Sequence, residues 1–351
     1  MKGGIILLKF KKRLIDKGTF EAASVFDADG DGIPDIVCGG YWYKGPDFTQ
    51  KFFMCDVMPA DEYFDDFSDY PLDVNGDGKP DVITGGWWGK RIRWRENNGI
   101  NPWPVHELDE YGSIETTRFY DIDDCGTVEV VPNTPGMPQC FYKLENHQLV
   151  QYIIGSEPSG HGMGVGDIDG DGKLEILLSN GYLKQKTTPY EPWEFIPAWD
   201  CGCAAGVPIL AYDVNGDGIC DIIYGNGHGY GLFWLEQKAD GSFEKHVIDG
   251  AAAQYHDLWL VDLDNDGELE LVTGKRYRAH CGHDFGDNDP VGLYYYKIVK
   301  STFVRHVIDF GDAGEASGAG IYMWIADTNG DGRLDIVAPG KEGLYLFENL
   351  G

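Results

Sequence analysis

The segment Asp27-Ala-Asp29-Gly-Asp31-Gly-Ile-Pro-Asp35 decides the fold, because its pattern recurs along the chain. The pattern has Gly at position 6 and Asp, Asn or Glu at positions 1, 3, 5 and 9. It begins seven times, at Asp27, Asp73, Asp121, Asp167, Asp213, Asp262 and Asp327. Successive copies start 46, 48, 46, 46, 49 and 65 residues apart. A nearly constant period of this length is typical of propeller blades, so the sequence predicts seven blades.

Each copy of the pattern is surrounded by segments with β-strand character. One such segment precedes the acidic loop and three follow it, as illustrated in different copies by residues 162–166, 222–224, 231–235 and 243–249. Short β-branched or aromatic runs between Gly-rich turns are typical of strands. Four strands per copy are the content of one blade. The absence of a sustained helical period disfavours a helix bundle.

The two ends of the chain are predicted to share one blade. The seventh loop is followed only by a third strand, residues 343–349, while residues 10–16 resemble the fourth strands at residues 243–249 and 303–309. Pairing the two end segments closes the ring and removes exposed sheet edges. We therefore predict an all-β, seven-bladed propeller closed by the N-terminal strand, with residues 1–351 forming a single domain.

The acidic loops are predicted to bind Ca²⁺. A tight loop with carboxylate or amide oxygens at positions 1, 3, 5 and 9 and Gly at the sharp turn is suited to this ion. An EF-hand is excluded because none of the seven loops has Glu at position 12. The third loop, with Cys125 at position 5, is expected to stay empty. The predicted ligands in the other six loops are Asp27, Asp29, Asp31, Asp35, Asp73, Asn75, Asp77, Asp81, Asp167, Asp169, Asp171, Glu175, Asp213, Asn215, Asp217, Asp221, Asp262, Asp264, Asp266, Glu270, Asp327, Asn329, Asp331 and Asp335.

The composition limits the partners and the compartment. With 58 Asp and Glu against 28 Lys and Arg, the net charge is −30. This charge disfavours nucleic acid and anionic membranes, which are bound through Lys and Arg. The N-terminal apolar stretch, residues 5–8, is too short for a secretion signal, so a cytoplasmic location is expected. The eight Cys residues are expected to be reduced thiols.

Two sets of equivalent positions identify a candidate site. Six residues before each loop, near the start of the first strand, the chain has Glu21, Phe67, Glu115, His161, Val207, His256 and Ile321. Twelve to fifteen residues after the first loop Asp, a second set includes Trp87, Trp88, His228 and Lys275. Because the loop reverses the chain, both sets are predicted to lie at the pole opposite the loops, around the channel mouth. His161, His228, His256, Glu115 and Lys275 are therefore expected to converge.

The longest interval between copies contains an insertion at residues 275–292. The insertion has two His, two Arg, one Lys and one Tyr, which are unusual in so acidic a chain. It is predicted to be a lid over the channel mouth, and a tolerated surface loop is the alternative. His161, His228 and His256 could hold a divalent ion, Zn²⁺, Mn²⁺ or Mg²⁺. Alternatively, each imidazole only hydrogen-bonds loop backbone.

The seven loops resemble the FG-GAP/VCBS repeats of calcium-binding seven-bladed propellers. A narrower resemblance, mainly over residues 155–351, is to the propeller part of the fungal aldos-2-ulose dehydratases. It is carried by Ser159-Gly-His161-Gly-Met-Gly-Val-Gly-Asp167, Gly227-His228-Gly-Tyr230, His256-Asp257-Leu258 and Thr273-Gly-Lys275-Arg276-Tyr277-Arg-Ala-His280. The cupin domains of those enzymes have no counterpart in this sequence, so an isomerisation carried by them is not expected.

The resemblance implies a carbon–oxygen lyase that eliminates water from a keto-sugar such as 1,5-anhydrofructose. Base, acid and orienting groups would come from Lys275, Arg276, Tyr277, His280 and His283. Contacts to the sugar would come from Glu115, Trp87, Trp88 and Tyr230, although packing between blades is an alternative role for each Trp. The expected partner is a small sugar, and the oligomeric state is not predicted. A non-catalytic carbohydrate- or protein-binding propeller and a polysaccharide lyase acting on uronic acids remain as alternatives.

Overall fold

The fold is built from β-strands and turns. The computed structural model describes residues 7–202 and 204–351, and no α-helix occurs within these ranges. The strands form seven four-stranded antiparallel sheets and one short hairpin. The predicted all-β, seven-bladed propeller is therefore confirmed. The described residues contain no helix that could cross a membrane.

The first strand, β1, belongs to the last blade, and the next three blades follow in chain order. Strand β1 is Phe10–Asp16. Blade 1 contains β2 (Ala23–Phe26), β3 (Asp35–Cys38), β4 (Tyr41–Lys44) and β5 (Gln50–Phe53). A hairpin of β6 (Pro59–Ala60) and β7 (Tyr63–Phe64) precedes blade 2, which contains β8 (Tyr70–Leu72), β9 (Asp81–Gly85), β10 (Ile92–Arg95) and β11 (Val105–Glu107). Blade 3 contains β12 (Thr116–Tyr120), β13 (Glu129–Asn133), β14 (Pro138–Glu145) and β15 (Gln148–Pro158).

The remaining four blades repeat this order. Blade 4 contains β16 (Met163–Gly166), β17 (Glu175–Leu178), β18 (Gly181–Lys184) and β19 (Glu194–Pro197). Blade 5 contains β20 (Leu210–Tyr212), β21 (Asp221–Gly225), β22 (Tyr230–Gln237) and β23 (Phe243–Ala253). Blade 6 contains β24 (Tyr255–Val261), β25 (Glu270–Lys275), β26 (Val291–Val299) and β27 (Thr302–Gly311). Blade 7 contains β28 (Trp324–Ala326), β29 (Asp335–Ala338), β30 (Leu344–Asn349) and β1.

Strand β1 closes the ring as the sequence predicted. It pairs antiparallel with β30, from Phe10 opposite Asn349 to Asp16 opposite Leu344. The outer strand of blade 7 therefore comes from the other end of the chain. Ala22, just before β2, also forms a bridge to Tyr322, so blades 1 and 7 are joined directly.

The acidic loops reverse the chain between the first and second strands of each blade. In the first loop the Asp27 carboxylate accepts hydrogen bonds from the backbone N–H groups of Gly30, Asp31 and Gly32. Gly32 has φ +84°, a conformation that residues with a Cβ rarely adopt. Asp35 accepts a further bond from the N–H of Ala28. The loop thus holds its own turn, and the first strands of all blades run toward the same pole.

Apolar residues of the second and third strands fill the space between neighbouring blades. Between blades 6 and 7, for example, Val272, Ile336 and Phe347 are almost fully buried in one cluster. Burial of this kind contributes roughly 25 cal/mol per Å² of apolar surface. Each blade is therefore stabilised mainly by its two neighbours, which makes closure of the ring important.

The central channel is crossed by a buried ion pair. Arg118 on β12 donates to the Asp257 carboxylate on β24 at 2.7 Å and to the carbonyl of Val207 at 2.5 Å. The Met323 N–H donates to the other oxygen of Asp257. The guanidinium also lies over the Tyr322 ring, 4.6 Å from its centroid. These contacts join blades 3 and 6 to the segments that precede β20 and β28.

The described Cys residues form no disulfide bonds with one another. Cys38, Cys55 and Cys140 are buried, and Cys125 is exposed in the third loop. Cys203, one member of the close pair in the sequence, lies outside the described residues, as do residues 5 and 6 of the N-terminal apolar stretch.

The first prediction concerns ring closure. Deleting residues 1–16 removes β1 and exposes the edge of β30, so we expect the cooperative unfolding transition to disappear. Circular dichroism during heating is the measurement. Lys11→Ala, which removes only a side chain that is 59% exposed, is the control and is expected to melt like the wild type. A truncated chain that melts cooperatively at the wild-type temperature would contradict the closure model.

The second prediction concerns the channel ion pair. Arg118→Leu leaves Asp257 as a buried carboxylate without its charged partner, which costs about 3–5 kcal/mol. The double variant Arg118→Leu/Asp257→Asn removes both charges and is expected to recover most of the loss. Urea unfolding measures both values. Arg91→Leu breaks an ion pair with the exposed Glu107 and Glu110 and is expected to cost about 1 kcal/mol or less. Equal losses at Arg118 and Arg91 would contradict this assignment.

Candidate metal centre

Three imidazoles and one carboxylate meet at the pole opposite the acidic loops. Glu115 and His161 lie just before β12 and β16, His256 lies near the start of β24, and His228 lies in the turn between β21 and β22. Four different blades therefore contribute one side chain each. The predicted convergence of these four residues is found in the structure.

The Nε2 atoms of all three imidazoles point toward one another and toward Glu115. His228 Nε2 lies 3.1 Å from His161 Nε2. Glu115 Oε1 lies 2.8 Å from His256 Nε2 and 3.3 Å from His161 Nε2. His256 is fully buried and Glu115 is almost so. A compact group of four donor atoms with little access to water results.

The opposite ring nitrogens hold two of these imidazoles in place. His161 Nδ1 is 2.5 Å from the Ala205 carbonyl oxygen, and His228 Nδ1 is 2.7 Å from Asp284 Oδ2. Both acceptors favour the tautomer with a proton on Nδ1 and a free lone pair on Nε2. This arrangement, an imidazole anchored through its second nitrogen, is usual for metal-ligating His. His256 Nδ1 is buried without a hydrogen-bond partner.

The spacing of the four donor atoms fits a transition-metal ion. Zn–N bonds of about 2.0–2.1 Å place tetrahedral ligands roughly 3.3 Å apart. Three of the six separations among the donor atoms, 3.1, 2.8 and 3.3 Å, are close to that value, and all six are within 4.8 Å. Three nitrogens and one oxygen suit Zn²⁺ or Mn²⁺ better than Mg²⁺, which prefers oxygen ligands. The residues present therefore fit the divalent ion expected from the sequence.

The electrostatics of the cluster also favour a cation. Burial opposes ionisation of Glu115, but His161 and His256 outweigh it and hold the pKa of its carboxyl well below the usual value. Burial lowers the pKa of His228 to about 4 and that of His256 to about 3. At neutral pH these two imidazoles are therefore uncharged, the state required for ligation. Burial also lowers the pKa of His161, but the Glu115 carboxylate outweighs that effect and the net shift is upward.

A buried Arg lies beside the cluster. Arg276 Nη1 is 3.9 Å from Glu115 Oε1, and its Nε donates to Glu21 Oε1 at 2.9 Å. Arg276 is 2% exposed, so its charge is balanced inside the protein by these two carboxylates. Glu21 belongs to the same set of first-strand positions as Glu115. The Arg276 guanidinium is thus fixed at the edge of the site.

A pocket of about 90 Å³ borders the cluster at Glu115, the one member of the four that lines it. Aromatic side chains form its wall, with Tyr63 from the β6–β7 hairpin packing against Phe67 and Trp88. Trp87, Glu115, Arg276 and His280 complete the lining. Trp88 is 37% exposed at the rim. The aromatic wall and the adjacent charged groups are typical of sites for small polar molecules with an apolar face.

The insertion at residues 275–292 covers part of this mouth. His280 stacks on His228, with ring centroids 4.1 Å apart. Asp284 contacts both rings, since its Oδ1 lies 3.0 Å from His280 Nδ1 and its Oδ2 lies 2.7 Å from His228 Nδ1. One lid carboxylate therefore orients an imidazole of the cluster and an imidazole of the pocket together.

Other predicted site residues lie away from the pocket. Lys275 is buried and donates to Gln254 Oε1 and to the Asp287 carbonyl, and burial lowers its pKa to about 8. It anchors the lid instead of lining the pocket. Three further residues also lie outside the pocket lining. Tyr277 lies next to Lys275, and His283 is exposed in the insertion. Tyr230 donates a hydrogen bond to Asp289.

Sequence analysis missed three residues of the mouth. Tyr63 comes from the hairpin between blades 1 and 2, and Asp284 comes from the insertion. Lys341, in the turn before β30, lies over the Tyr63 ring, with Nζ 3.8 Å from its centroid. Lys341 lies 14 residues after Asp327, the position that Trp87 has after Asp73, so the repeat does indicate it. Tyr63 and Asp284 lie outside the repeated positions, so the repeat could not locate them. For these two residues, the only signal in the sequence was the charged and aromatic content of the β6–β7 hairpin and of the insertion.

Comparisons with known proteins agree with the repeat. Residues 213–273 match a family model described as FG-GAP-like repeat. Cartilage acidic protein 1 of Mus musculus is 26% identical over 147 residues, which cover 40% of this chain and 21% of that protein. The Homo sapiens protein of the same name is 25% identical over 161 residues, which cover 41% of this chain and 23% of that protein. The matched region thus spans about a fifth of the length of these relatives.

A solved structure has a similar fold over nearly the whole chain. It is described as the basis of specific recognition of non-reducing terminal N-acetylglucosamine by an Agrocybe aegerita lectin. It has a TM-score of 0.50 at 15% identity and covers 98% of this chain and 94% of that chain. At this level of identity the likeness concerns the fold alone. The chain is a seven-bladed β-propeller that carries an FG-GAP-like repeat at residues 213–273.

Proposed function

We propose that this propeller is a metal-dependent carbon–oxygen lyase that eliminates water from a small keto-sugar such as 1,5-anhydrofructose. The observation that carries the proposal is the convergence of His161, His228, His256 and Glu115 beside a pocket that Glu115 and His280 line. A metal ligand set, a candidate base and an aromatic wall are thus within one small volume. Elimination next to a ketone needs a base for the hydrogen beside the carbonyl, an electrophile for the developing enolate oxygen and an acid for the departing hydroxyl.

The four clustered side chains would hold Zn²⁺ or Mn²⁺. The ion would supply a Lewis acid that polarises the ketone and so acidifies the neighbouring carbon–hydrogen bond. Glu115 balances part of the charge of the ion, and the carboxylate of Asp284 and the carbonyl of Ala205 fix the orientation of two imidazoles. Burial keeps competing water away from the group.

His280 is the proposed general base. Its Nδ1 faces Asp284, which leaves Nε2 with a free lone pair to face the pocket. Nε2 takes the proton from the carbon beside the carbonyl, and the electron pair of that bond forms the new carbon–carbon double bond. The hydroxyl on the next carbon leaves with its bonding electrons. His280 returns the proton to it, so that water and a conjugated enone are the products.

The wall of the pocket would orient the sugar. Trp87 and Trp88 present apolar faces on which a pyranose ring can stack, and the fixed guanidinium of Arg276 can donate to a sugar oxygen. A pocket of about 90 Å³ takes only one edge of a monosaccharide. The remainder of the ring would lie against the exposed Trp88.

The charges at the mouth disfavour a polysaccharide lyase acting on uronic acids. Such an enzyme needs a row of available cations to bind a polyanion. Here Arg276 pairs with Glu21, and Arg278 pairs with Glu62 at 2.5 Å. Lys341 donates to a backbone carbonyl and lies against an aromatic ring. The cations are thus neutralised locally, which supports a small neutral substrate.

The third prediction concerns the metal. His256→Ala removes one of four ligands and is expected to reduce bound Zn²⁺ or Mn²⁺ from one ion per chain to none, with loss of dehydration. Metal content is measured by plasma mass spectrometry, and turnover is measured by the ultraviolet absorbance of the enone with a panel of keto-sugars. His306→Ala is the matched control, because His306 stacks on Tyr295 in an outer strand. Its metal content and turnover are expected to match the wild type.

Two results would overturn this assignment. Full turnover by His256→Ala would show that the cluster has no catalytic role. A metal-loaded wild type that converts no keto-sugar would exclude the lyase. If that protein binds monosaccharides equally well with and without metal, a carbohydrate-binding propeller replaces the enzyme as the best account.

The fourth prediction separates the base from the metal ligands. His280→Gln is expected to lower kcat by roughly 10²–10⁴-fold, the usual contribution of one positioned proton-transfer group, while the metal content stays at the wild-type value. Phe285→Ala, a change in the same lid at a side chain that is 78% exposed, is expected to leave kcat unchanged. Loss of metal in His280→Gln, or equal losses of kcat in the two variants, would contradict the role of His280.

A further inference from the structure

The acidic loops differ at a position outside the nonapeptide. In each blade, the first residue after the nonapeptide pairs with a residue of the third strand. The next residue along the third strand lies beside the loop. In blade 1, Ile36 on β3 pairs with Tyr43 on β4, and Lys44 follows. The same register places Lys in four blades and Glu in three. The residues are Lys44, Glu96, Lys143, Lys184, Glu236, Lys297 and Glu348.

The identity of this residue follows position 3 of the loop. Every blade with Lys has Asp at position 3, namely Asp29, Asp123, Asp169 and Asp264. Every blade with Glu has Asn at position 3, namely Asn75, Asn215 and Asn329. The seven blades contain no exception, so the two positions are matched within one chain.

In the Lys loops the ammonium group lies among the loop carboxylates. Lys44 Nζ contacts Asp29 and lies 2.6 Å from Asp31 Oδ2. Lys184 Nζ contacts Asp169 and lies 2.9 Å from Asp171 Oδ2. The ammonium thus bridges positions 3 and 5, the side chains that would coordinate an ion.

The other two Lys loops are arranged similarly. Lys297 Nζ contacts Asp264, 3.1 Å from Asp266 Oδ2 and 3.5 Å from Glu270 Oε1. Lys143 Nζ contacts Asp123 and lies 3.3 Å from Glu129 Oε1. Four ammonium groups in four blades take equivalent places, so the contact belongs to the repeat.

The Glu loops lack this ammonium group. In loop 5, Asn215 Nδ2 lies 3.0 Å from Asp217 Oδ2 and 3.4 Å from Glu236 Oε1. Glu236 itself pairs outside the loop, with Lys238 Nζ at 2.7 Å and His246 Nε2 at 2.9 Å, and among the described residues no Lys pairs with a carboxylate of loop 5. Loop 7 also has Arg333 at position 7, which pairs with Asp331 but is 38% exposed to solvent. The third-strand Glu residues of the other two blades also pair outside their loops, Glu348 with Lys11 and Arg13 and Glu96 with His106. The Glu loops therefore differ from the Lys loops in having no ammonium group between positions 3 and 5.

We propose that the seven loops are of two kinds: four are neutralised internally by a lysine ammonium and take no Ca²⁺, and the three loops of blades 2, 5 and 7 bind Ca²⁺. Calcium requires six to eight oxygen ligands at 2.3–2.6 Å. An ammonium between positions 3 and 5 occupies that space and repels a second cation. In the Glu loops no ammonium group lies between positions 3 and 5, although the exposed Arg333 pairs with position 5 of loop 7, and Asn supplies a neutral oxygen beside three loop carboxylates.

The proposal differs from the six ions expected from the nonapeptide alone. That expectation counts oxygen ligands within the loop, whereas the deciding residue is nine to 27 positions further along, on another strand. The proposal is independent of the lyase function, because the loops and the imidazole cluster lie at opposite poles.

The fifth prediction is the calcium stoichiometry. Equilibrium dialysis of chelator-treated protein against Ca²⁺ is expected to give three ions per chain. Lys44→Gln and Lys184→Gln each remove one internal ammonium and are expected to give four, and the double variant is expected to give five. Lys173→Gln is the matched control, since it makes the same change at an exposed position of loop 4. It is expected to stay at three.

The reverse change provides a second test. Glu236→Lys places an ammonium beside loop 5 and is expected to reduce the count to two, and this variant decides the matter if the Lys→Gln variants do not fold. Six or seven ions in the wild type would overturn the proposal, as would none. An unchanged count of three in both Lys44→Gln and Glu236→Lys would also overturn it.

Discussion

The antiparallel pairing of β1 with β30 is the contact on which the rest of the structure depends. Each blade buries its apolar faces only against its two neighbours, so an open ring would leave two faces exposed to water. Closure also fixes where the first strands begin. Glu21 of blade 1 can balance Arg276 of blade 6 only because blade 7 is completed by the other end of the chain. The site at the channel mouth is thus a consequence of ring closure.

Most of the fold and half of the site could be predicted because the chain contains its own alignment. Seven copies define equivalent positions, and residues at equivalent positions must lie on one circle. This placed His161, His256 and Glu115 together without any structural information. Lys275 and Arg276 show the limit of that argument. Neighbouring residues at the end of a strand point in opposite directions, so only Arg276 faces the cluster.

The rest of the site comes from segments that interrupt the repeat. Tyr63 lies in a hairpin between blades, and Asp284 lies in the lid. Neither segment has an equivalent copy that would predict its conformation. Asp284 orients two imidazoles at once. This role depends on how the insertion at residues 275–292 packs against blade 5. Only the folded arrangement of His228 and His280 could reveal it.

The separation of the two poles allows charge at each end to be adjusted independently. Glu21 and Asp27 mark the two ends of one first strand, and six extended residues span about 20 Å. The imidazole cluster is buried, but the acidic loops are exposed to solvent, where ions screen their field over a Debye length of about 8 Å at physiological ionic strength. A change of cation in an acidic loop therefore has little electrostatic effect on the imidazole cluster. The acidic turns are therefore similar in all blades, whereas the residues at the start of the first strands differ, for example Ile321 in blade 7 and His256 in blade 6. Functional residues can thus differ at the channel mouth without a change in the turns.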